Sequence, residues 1–501
     1  MDIFMPLLHG FETALTGWNL FYCLLGVTIG MLVGVLPGLG PTTGIALLLP
    51  ITFSMDAIPA IIMLSGIYYG AMYGGTVTSV LINTPGEAAS VATCFDGYPM
   101  AKQGRAGTAL GVAGIGSFIG GTVSMLGIVF VGPPLAEFAL SFGPPEFFAL
   151  MIVGLVMVVG LMGKSLARGL ISMLIGLSLS FVGMDPLSGV LRFTFGEPNL
   201  MEGFDFVVIS MGLFGISEVM LGMETAIQAA EIPKVGKLLP NREEWIPTLK
   251  AIGRGTGLGF LIGLIPGSNS VIPAILSYSI EKKLAKDPSR FGNGAIEGVA
   301  GPETANNSYC GGALIPLFTI GIPSSPTIAI LFGAFIMHGL TPGPALFQNN
   351  ANFVWAIIAS MFVGNLILLI MNLPMAGLWG KVATISPGIM YPGIAIISVV
   401  GAYCTGNRIW DVWIMIIFGI IGYVMKKVDI PMAPIVLTFV LGKMIENSLI
   451  QSLIYFEGSV LGFIQRPMAC GLLIIALIVF IGSLIAGIKN KRSMLANDVE
   501  I

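Results

Sequence analysis

The sequence predicts an all-α polytopic membrane protein, and three observations carry that prediction. The chain has 501 residues, of which 55% are hydrophobic and only 10% are charged, whereas soluble domains carry about 25% charged residues. Apolar runs long enough to cross a hydrocarbon core of about 30 Å recur along the whole chain. The 68 glycines and 31 prolines suit closely packed, interrupted membrane helices. Examples of the apolar runs are 145–162, 206–223, 353–373 and 468–488.

Lysine and arginine positions predict the orientation, because cytoplasmic loops are enriched in these residues. Residues 1–101 contain neither, and the N-terminus lacks the basic start of a cleavable signal peptide. The pattern predicts about 11 to 12 transmembrane helices, an outward start, outward loops 185–205 and 339–352, and a cytoplasmic C-terminus. The clusters assigned to the cytoplasm are Lys102/Arg105, Lys164/Arg168, Lys234 to Arg254, Lys282 to Arg290, Lys426/Lys427 and Lys489 to Arg492; Arg192, Arg408 and Arg466 are isolated exceptions.

The segment 255–280 is apolar but is interrupted by Pro-Gly-Ser-Asn-Ser. Basic residues flank it on both sides, so both ends are expected in the cytoplasm. It would then enter the membrane and return as a re-entrant hairpin, with two arms of about 11 residues that each cross half the membrane. A broken backbone at that depth is tolerated only inside protein or beside a water-filled cavity. One kinked spanning helix is the alternative.

A second copy of this pattern predicts an internal duplication. The stretch GMLVGVLPG (30–38) aligns with GFLIGLIPG (259–267) at an offset of 229 residues. Gly74-Gly75 and Pro85 then correspond to Gly311-Gly312 and Pro323 in the same order. The first predicted half is 1–232, and it contains a hairpin at about 18–53, a broken helix at 58–86 and helices to 223. The second predicted half is 233–501, and it contains the hairpin 255–280, a broken helix at 303–337 and the C-terminal helices.

The charges around the two hairpins predict that the repeat is inverted. Acidic or neutral residues such as Glu12 and Asp56 flank the first hairpin, whereas basic residues flank the second, which places the two on opposite faces of the membrane. Inverted repeats with discontinuous helices that meet near the midplane are typical of secondary transporters. The fold predicted is therefore an inverted repeat that provides alternating access, of the elevator type.

Three long motifs resemble the large membrane subunit of the bacterial tripartite tricarboxylate transporters. They are GVLPGLGPTTGIALLLPITF (34–53), GIYYGAMYGGTVTSVLINTPGEAASVATCFDGYPMAKQGRAG (66–107) and GPETANNSYCGGALIPLFTIGIPSSPTIAILFGAF (301–335). The resemblance covers nearly the whole chain. It implies a permease in the bacterial inner membrane that imports an organic carboxylate, driven by an ion gradient. It also implies a small four-helix membrane subunit and an extracytoplasmic solute-binding protein as partners. The sequence leaves open whether the complex forms a homodimer.

The helix breaks supply the groups that a carboxylate needs. Arginine or lysine would be costly within the membrane, whereas backbone N–H groups at half-helix N-termini bind anions without that cost. Pro41 and Pro326 suit the first turn of a restarting helix, and Thr327 adds a hydroxyl. The alternative is that these residues are local caps without a ligand. The predicted substrate-binding residues are Gly38, Gly40, Thr42, Thr43, Asn83, Thr84, Gly86, Gly267, Ser268, Asn269, Ser270, Ser324 and Ser325.

Amide and hydroxyl oxygens beside unwound backbone suit Na⁺, which we expect as the coupling ion in preference to H⁺. The candidates are Asn83, Asn306 and Asn307, together with Glu303, whose alternative role is to interact with a helix dipole. Glu87 and Asp96 are expected on the solvated surface.

Other function classes receive less support from the sequence. The two histidines, His9 and His338, belong to no catalytic motif, and no H-E-x-x-H or G-x-S-x-G string occurs. An intramembrane enzyme is therefore a weak alternative, as is an ion or anion channel. The five scattered cysteines are expected as packing residues rather than metal ligands. Membrane lipid surrounds the chain, and no cofactor, metal beyond Na⁺ or nucleic-acid partner is expected.

Overall fold

The computed structural model describes residues 4–36, 38–161, 165–185, 188–224, 233, 235–382 and 385–497, and these are almost entirely helical. The first helices are α1 Phe4–Ala14, α2 Gly17–Val35, α3 Gly40–Leu48, α4 Ala57–Ile82, α5 Val91–Lys102, α6 Ala106–Ala139, α7 Pro144–Leu161, α8 Leu166–Ser180, α9 Phe206–Ser210 and α10 Ser217–Glu224. The later ones are α11 Trp245–Gly263, α12 Val271–Leu284, α13 Glu297–Ile320, α14 Pro326–Met337, α15 Pro344–Asn349, α16 Ala351–Val382, α17 Pro387–Gly406, α18 Ile409–Lys427, α19 Ala433–Tyr455, α20 Gly462–Gln465 and α21 Pro467–Asn497.

Shorter elements complete the chain. A π-helix, Met211–Ile216, joins α9 to α10 without a break. Strands β1 (Gly183–Met184) and β2 (Leu191–Arg192) pair antiparallel in the loop between α8 and α9. The 3₁₀ turns are Leu49–Ser54, Ala88–Ser90, Pro198–Leu200, Arg242–Glu244 and Pro288–Arg290.

Nine helical segments of the described chain are long and apolar enough to cross a membrane, which makes the protein an all-α, multi-pass membrane protein. Further apolar helices are shorter, and α11 and α13 are outside the nine, so the number of full crossings, predicted as 11 to 12, stays a prediction. The nine segments are Gly17–Val35, Ala57–Ile82, Ala106–Ala139, Phe206–Glu224, Ala351–Val382, Gly388–Gly406, Ile409–Lys427, Ala433–Tyr455 and Pro467–Ile485.

Helices α2 and α4 pack side by side through a glycine stripe. A Cβ added to Gly30 would lie 2.7 Å from the carbonyl oxygen of Ile67, and one added to Gly74 would lie 2.9 Å from Cα of Gly34. Gly26 meets Met63 in the same way, so contacts advance in the same direction along both helices. Such small residues let two helix backbones approach closely, which is a common means of association in membranes.

Helices α11 and α13 pack in the same way. The stripe here is Gly255, Gly259 and Gly263, each 229 residues after its counterpart in α2, and it meets the backbone of Gly301, Ala305 and Tyr309. These three residues follow Met63, Ile67 and Ala71 of α4 by 238 residues, the same offset as Pro85 to Pro323. The matching contacts support the predicted duplication.

Both glycine-striped helices are followed by a helix that folds back. A Cβ on Gly44 in α3 would lie 2.9 Å from Cγ1 of Val33 in α2. In the second predicted half Arg254 Nε donates to Glu281 Oε1 over 2.7 Å, so the middle of α11 lies beside the end of α12. A single kinked helix would separate these two residues by about 40 Å, so the segment is a hairpin in shape. Its entry into and return from one membrane face stays a prediction.

The predicted boundaries of the second half were too short at two places. The first arm of the hairpin begins at Trp245 rather than at residue 255, because Asn241 and Glu244 form a capping box that starts the helix earlier. The broken helix likewise begins at Glu297 rather than at residue 303.

Helices α4 and α13 form the centre of the molecule. Residues 60–81 of α4 and 297–319 of α13 are all buried. Thr76 of α4 donates to Glu303, near the start of α13, and α6 packs against both helices. The arginines that were exceptions to the charge pattern are neutralised locally: Arg192 pairs with Asp185 and Glu446, Arg408 with Asp411, and Arg466 with Glu146.

Candidate functional site

Helices α4 and α13 each end in an irregular turn, and the two turns have the same geometry. Asn83 and Gly321 both adopt left-handed backbone conformations, with φ of 54° and 73°. The N–H of Asn83 donates to the carbonyl of Thr78, and the N–H of Gly321 donates to that of Pro316. Each chain then runs without helical structure to Glu87 or Ser325. These are the two breaks that the sequence predicted around Pro85 and Pro323.

Each break ends where a side chain caps the next helical turn. Oε2 of Glu87 accepts from the N–H of Ala89 over 2.8 Å, and Oγ of Ser325 accepts from the N–H of Ile328. Pro326 occupies the first turn of α14, and Pro41 occupies that of α3, as predicted. Proline suits this position because its missing N–H is not needed there.

A cavity of about 560 Å³ lies where four helical starts meet. Its wall includes Gly40, Ala88, Val271 and Pro326, which are the first residues of α3, the 3₁₀ turn before α5, α12 and α14. The first turns of helices have unpaired N–H groups and a partial positive charge, so they favour anions. The four helix starts therefore favour an anion in the cavity, whereas the carboxylates of Glu87 and Glu218, which also line it, oppose one.

Eight of the predicted substrate residues line this cavity. The lining also includes three charged residues that were not predicted as site residues: Glu87, Glu218 and Lys426. The eight are Gly38, Gly40, Thr42, Thr43, Gly86, Asn269, Ser270 and Ser325, joined by Thr327.

The other five predicted residues do not line the cavity, and the two serines among them stabilise turns. Ser268 Oγ donates to the carbonyls of Ile262 and Ile265 over 2.9 and 2.7 Å, which satisfies the end of α11. Ser324 Oγ donates to the carbonyl of Ala313 over 2.9 Å. Gly267 has a φ of 78°, which a glycine adopts readily. Pro37, which precedes the matching Gly38 in the first predicted half, lies outside the described residues. The remaining two are Asn83 and Thr84, of which Asn83 is exposed.

Two threonines of α3 connect the cavity wall to other elements. Thr42 Oγ1 lies 2.7 Å from Thr327 Oγ1 of α14, so the two hydroxyls share a hydrogen bond. Thr43 Oγ1 donates over 3.1 Å to the carbonyl of Phe214, which lies in the π-helix. A π-helix frees carbonyl groups from the regular ladder and is often found at functional sites.

Asn269 has a capping role in this structure. Its Oδ1 accepts from the N–H groups of Val271 and Ile272 over 3.1 and 3.2 Å, which satisfies the first turn of α12. The amide group of this side chain remains able to donate toward the cavity. For Asn269 and Ser325 the capping role and the ligand role are therefore compatible.

The expectation that Glu87 and Asp96 lie on the solvated surface is wrong. Glu87 is 7% exposed and Asp96 is fully buried. Asp96 Oδ1 accepts from the N–H groups of Gly292, Gly294 and Ala295 over 2.8 to 2.9 Å, so it stabilises the loop that leads into α13. These partners lie about 200 residues away in sequence, which is why the local pattern did not reveal the burial.

Glu87 and Glu303 lie close to Asn306 and Asn307, where α13 packs against α4 and the turn before α5. Asn306 Nδ2 donates to Glu87 Oε1 over 2.9 Å, and Thr76 and Thr93 both donate to Glu303. Asn307 Nδ2 donates to Ser117 Oγ and to the backbone carbonyl of Glu303. The Oδ1 atoms of both asparagines are buried and accept no hydrogen bond. Of the predicted coupling-ion residues, Asn83 is not part of this group.

A cavity lined by helix starts beside two helix breaks, within a bundle of apolar spanning segments, defines the class of helical membrane transporters. The sequence matches the family described as the tripartite tricarboxylate transporter TctA family over residues 20–437. The chain belongs to this family, so it is a permease subunit of the tricarboxylate transporter type, and the resemblance seen in the motifs is confirmed.

Two relatives come from Agrobacterium vitis. One is described as an uncharacterized 52.8 kDa protein in the TAR-I ttuC' 3' region and is 44% identical over 493 residues, which cover 98% of both chains. The other, described as an uncharacterized protein in the TAR-II ttuC' 3' region, is 44% identical over 234 residues, which cover 47% of this chain and 97% of the relative. No solved structure matches this chain.

Proposed function

We propose that this chain is the permease of a secondary active importer of di- or tricarboxylates or related organic anions. It would work in the bacterial inner membrane with a small four-helix subunit and an extracytoplasmic solute-binding protein that delivers the substrate. The family supports the permease role. The substrate class, the dependence on a binding protein and the coupling to an ion gradient are parts of the proposal.

One observation carries the proposal: the cavity lies where both halves of the predicted repeat restart their helices. A carboxylate placed there would receive N–H groups from the first turns of α3 and α14 and a hydroxyl group from Thr42 or Thr327. The first N–H groups of α12 are capped by Asn269, so the amide group of Asn269 would donate in their place. Backbone donors attract an anion without the cost of keeping a lysine or arginine unpaired at membrane depth. A multivalent carboxylate suits donors that approach from several sides.

Alternating access is supported by the way the two halves meet. Thr42 belongs to the first half and Thr327 to the second, and their hydroxyls meet at the cavity wall. Movement of one half relative to the other would separate such contacts and open the cavity to a different side. Transporters with discontinuous helices commonly expose a fixed midplane site in this manner.

Na⁺ is the proposed coupling ion, and its proposed site is the cluster of Glu303, Asn306 and Asn307. Glu87 is included in this site because Asn306 donates a hydrogen bond to it. The asparagine Oδ1 atoms without hydrogen-bond partners are oxygen donors of the kind a hard cation prefers. H⁺ is the alternative coupling ion, because the buried carboxylates of Glu87 and Glu303 could each bind a proton. In the described part of the chain no group of three or more His, Cys, Asp or Glu side chains could hold a metal ion.

Uptake by proteoliposomes that contain the complete three-component complex tests this function. We expect accumulation of a dicarboxylate or tricarboxylate, such as succinate or citrate, that requires both the binding protein and an inward Na⁺ gradient. A channel would equilibrate the substrate without accumulating it, and an enzyme would convert it. Accumulation without the binding protein, or equilibration alone, would contradict the proposal.

A further inference from the structure

Glu218 and Lys426 form an ion pair on the wall of the carboxylate cavity. Glu218 belongs to α10 and Lys426 to the last turn of α18, so neither comes from the predicted helix breaks. Lys426 Nζ contacts Glu218 Oε2, and the two side chains are 32% and 17% exposed. Both residues line the cavity. Together with Glu87, which also lines the cavity, this pair determines the charge that an entering substrate meets.

Lys426 is the one cationic side chain among the described residues that line the cavity. In the ion pair its charge is neutralised by Glu218, so the wall offers an incoming anion no free positive charge. A lysine ammonium is a compact charge on a flexible four-carbon stem and can exchange one carboxylate partner for another. Opposite charges in a partly shielded cavity attract far more strongly than in bulk water.

Glu218 occupies the place where a substrate carboxylate would approach the first helix break. A Cβ on Gly38 would lie 2.9 Å from Glu218 Oε1, so this carboxylate packs directly against the glycine turn before α3. The other carboxylate oxygen contacts Lys426. The Glu218 side chain therefore lies between a backbone turn and an ammonium group, both of which a carboxylate ligand would use.

The element that presents Glu218 also contacts the break. The π-helix Met211–Ile216 ends directly before α10, and its Phe214 carbonyl accepts from Thr43 of α3. The α3 turn is thereby connected, within a few residues, to the backbone that carries Glu218. Such a connection would let the substrate displace Glu218 as it binds to the turn.

The neighbouring pair of Lys427 and Glu224 provides a natural comparison. Its members also come from α18 and α10, and Lys427 contacts Glu224 while it lies over the ring of Tyr423. Neither residue lines the cavity, and both side chains are more exposed, at 47% and 44%. This pair has the same charges and joins the same helices, but it lies outside the site.

We propose that Lys426 is the cationic ligand of the transported carboxylate and that Glu218 is its resting partner, which competes with the substrate. The inference rests on the proposed carboxylate transport. In the substrate-free state Glu218 neutralises Lys426. In the bound state a substrate carboxylate takes the ammonium, and Glu218 turns away from the cavity. No covalent step is involved.

Half-saturation constants for citrate and succinate, measured in proteoliposomes with the complete complex, test the inference. Lys426→Gln should raise the constant for citrate more than about tenfold, because the attractive charge is lost. Glu218→Gln should lower it at least about threefold, because the competitor is lost. The double variant should have a half-saturation constant similar to that of Lys426→Gln, and Lys426→Arg should retain much of the affinity. The half-saturation constants of the control variants Lys427→Gln and Glu224→Gln should stay within about twofold of that of the unchanged protein.

The opposite signs of the two single variants distinguish a binding role from a structural one. A purely structural ion pair would make Glu218→Gln and Lys426→Gln shift the constant in the same direction, and that result would overturn the inference while leaving carboxylate transport intact. If Lys426→Gln does not fold, Glu218→Gln alone still decides, because unchanged or weaker affinity contradicts competition. Failure of the unchanged complex to accumulate either acid would instead refute the proposed function.

Discussion

The hydroxyl oxygens of Thr42 and Thr327 lie 2.7 Å apart, although 285 residues separate them in the chain. Thr42 belongs to the first turn of α3 and Thr327 to that of α14, and both line the cavity. This hydrogen bond joins the two predicted halves at the point where the proposed substrate binds. Its strength therefore influences both the closed arrangement of the halves and the hydroxyl groups offered to the substrate.

Removing this hydrogen bond should reduce transport by a moderate amount. Thr42→Val and Thr327→Val keep the side-chain shape, and a typical net hydrogen bond of about 1 kcal/mol corresponds to roughly a fivefold change. We expect each variant to lower the initial rate of uptake by about that factor. The double variant should lose little more than either single variant, because both changes remove the same bond.

Thr405→Val is the matched control, because the Thr405 hydroxyl donates to the carbonyl of Gly401 within its own helix over 3.0 Å. Uptake by this variant should stay close to that of the unchanged protein. Losses from Thr42→Val and Thr327→Val that multiply in the double variant would show that the two hydroxyls act separately.

Substitution of Gly38 should have a larger effect. Its φ of 86° is rarely adopted by residues with a side chain, and a Cβ would also meet the Glu218 carboxylate. Gly38→Val should lower uptake more than about tenfold, equivalent to about 1.4 kcal/mol or more, at normal expression. Gly267→Val should act similarly through its φ of 78°, and Ser268→Ala should be milder than either.

Gly257→Ala is the control for these variants, since nothing lies within 4 Å of a Cβ at that position. This variant should insert into the membrane and take up substrate at the rate of the unchanged protein. Uptake at the full rate by both valine variants would mean that the glycine turns are structural and that the substrate binds elsewhere.

The local features of the site were predictable because they depend on residues close in sequence. Gly38 and Gly267 have the positive φ that a Pro-Gly turn suggests, and Pro41 and Pro326 lie in first helical turns. The apolar runs likewise predicted the spanning helices, because the length of a run and its hydropathy are local properties. The burial of Asp96 was missed because its partners, around Gly294, come from the other half.

Lys426 was also missed, for a related reason. It was placed with Lys427 in a cytoplasmic cluster, yet adjacent residues of a helix point about 100° apart. Gly419, Gly422 and Met425 are buried on one side of α18, and the spacing from Gly422 to Lys426 places the lysine near that side. Glu218, an acidic residue within the apolar run 206–223, was a signal of function that could have been recognised, because such residues are costly within a membrane.

The orientation of the halves can be tested with single cysteines. The inverted repeat predicts that Asp56→Cys and Lys283→Cys react with impermeant thiol reagents from opposite faces of the membrane. Both positions are exposed. Because the native Cys404 is also exposed, the labelling should be done in a Cys404→Ser background, and that background alone serves as the control. Labelling of both positions from one face would contradict the inversion.

Coupling to Na⁺ should depend on Glu303. The Glu303 side chain is 1% exposed and accepts from Thr76 and Thr93, and a carboxylate is the strongest oxygen ligand in the proposed cation cluster. Glu303→Gln keeps the shape but removes the negative charge, so the Na⁺ concentration that gives half-maximal uptake should rise more than about tenfold. Asn307→Ala should raise it as well, because one oxygen ligand is lost.

Glu243→Gln is the control for charge removal, because Glu243 is exposed in the turn before α11. Its Na⁺ dependence should match that of the unchanged protein. The carboxylate half-saturation constant of Glu303→Gln should change less than its Na⁺ dependence when measured at saturating Na⁺, since the proposed substrate cavity does not include Glu303. Uptake by the unchanged complex that persists under a pH gradient without Na⁺ would instead identify H⁺ as the coupling ion.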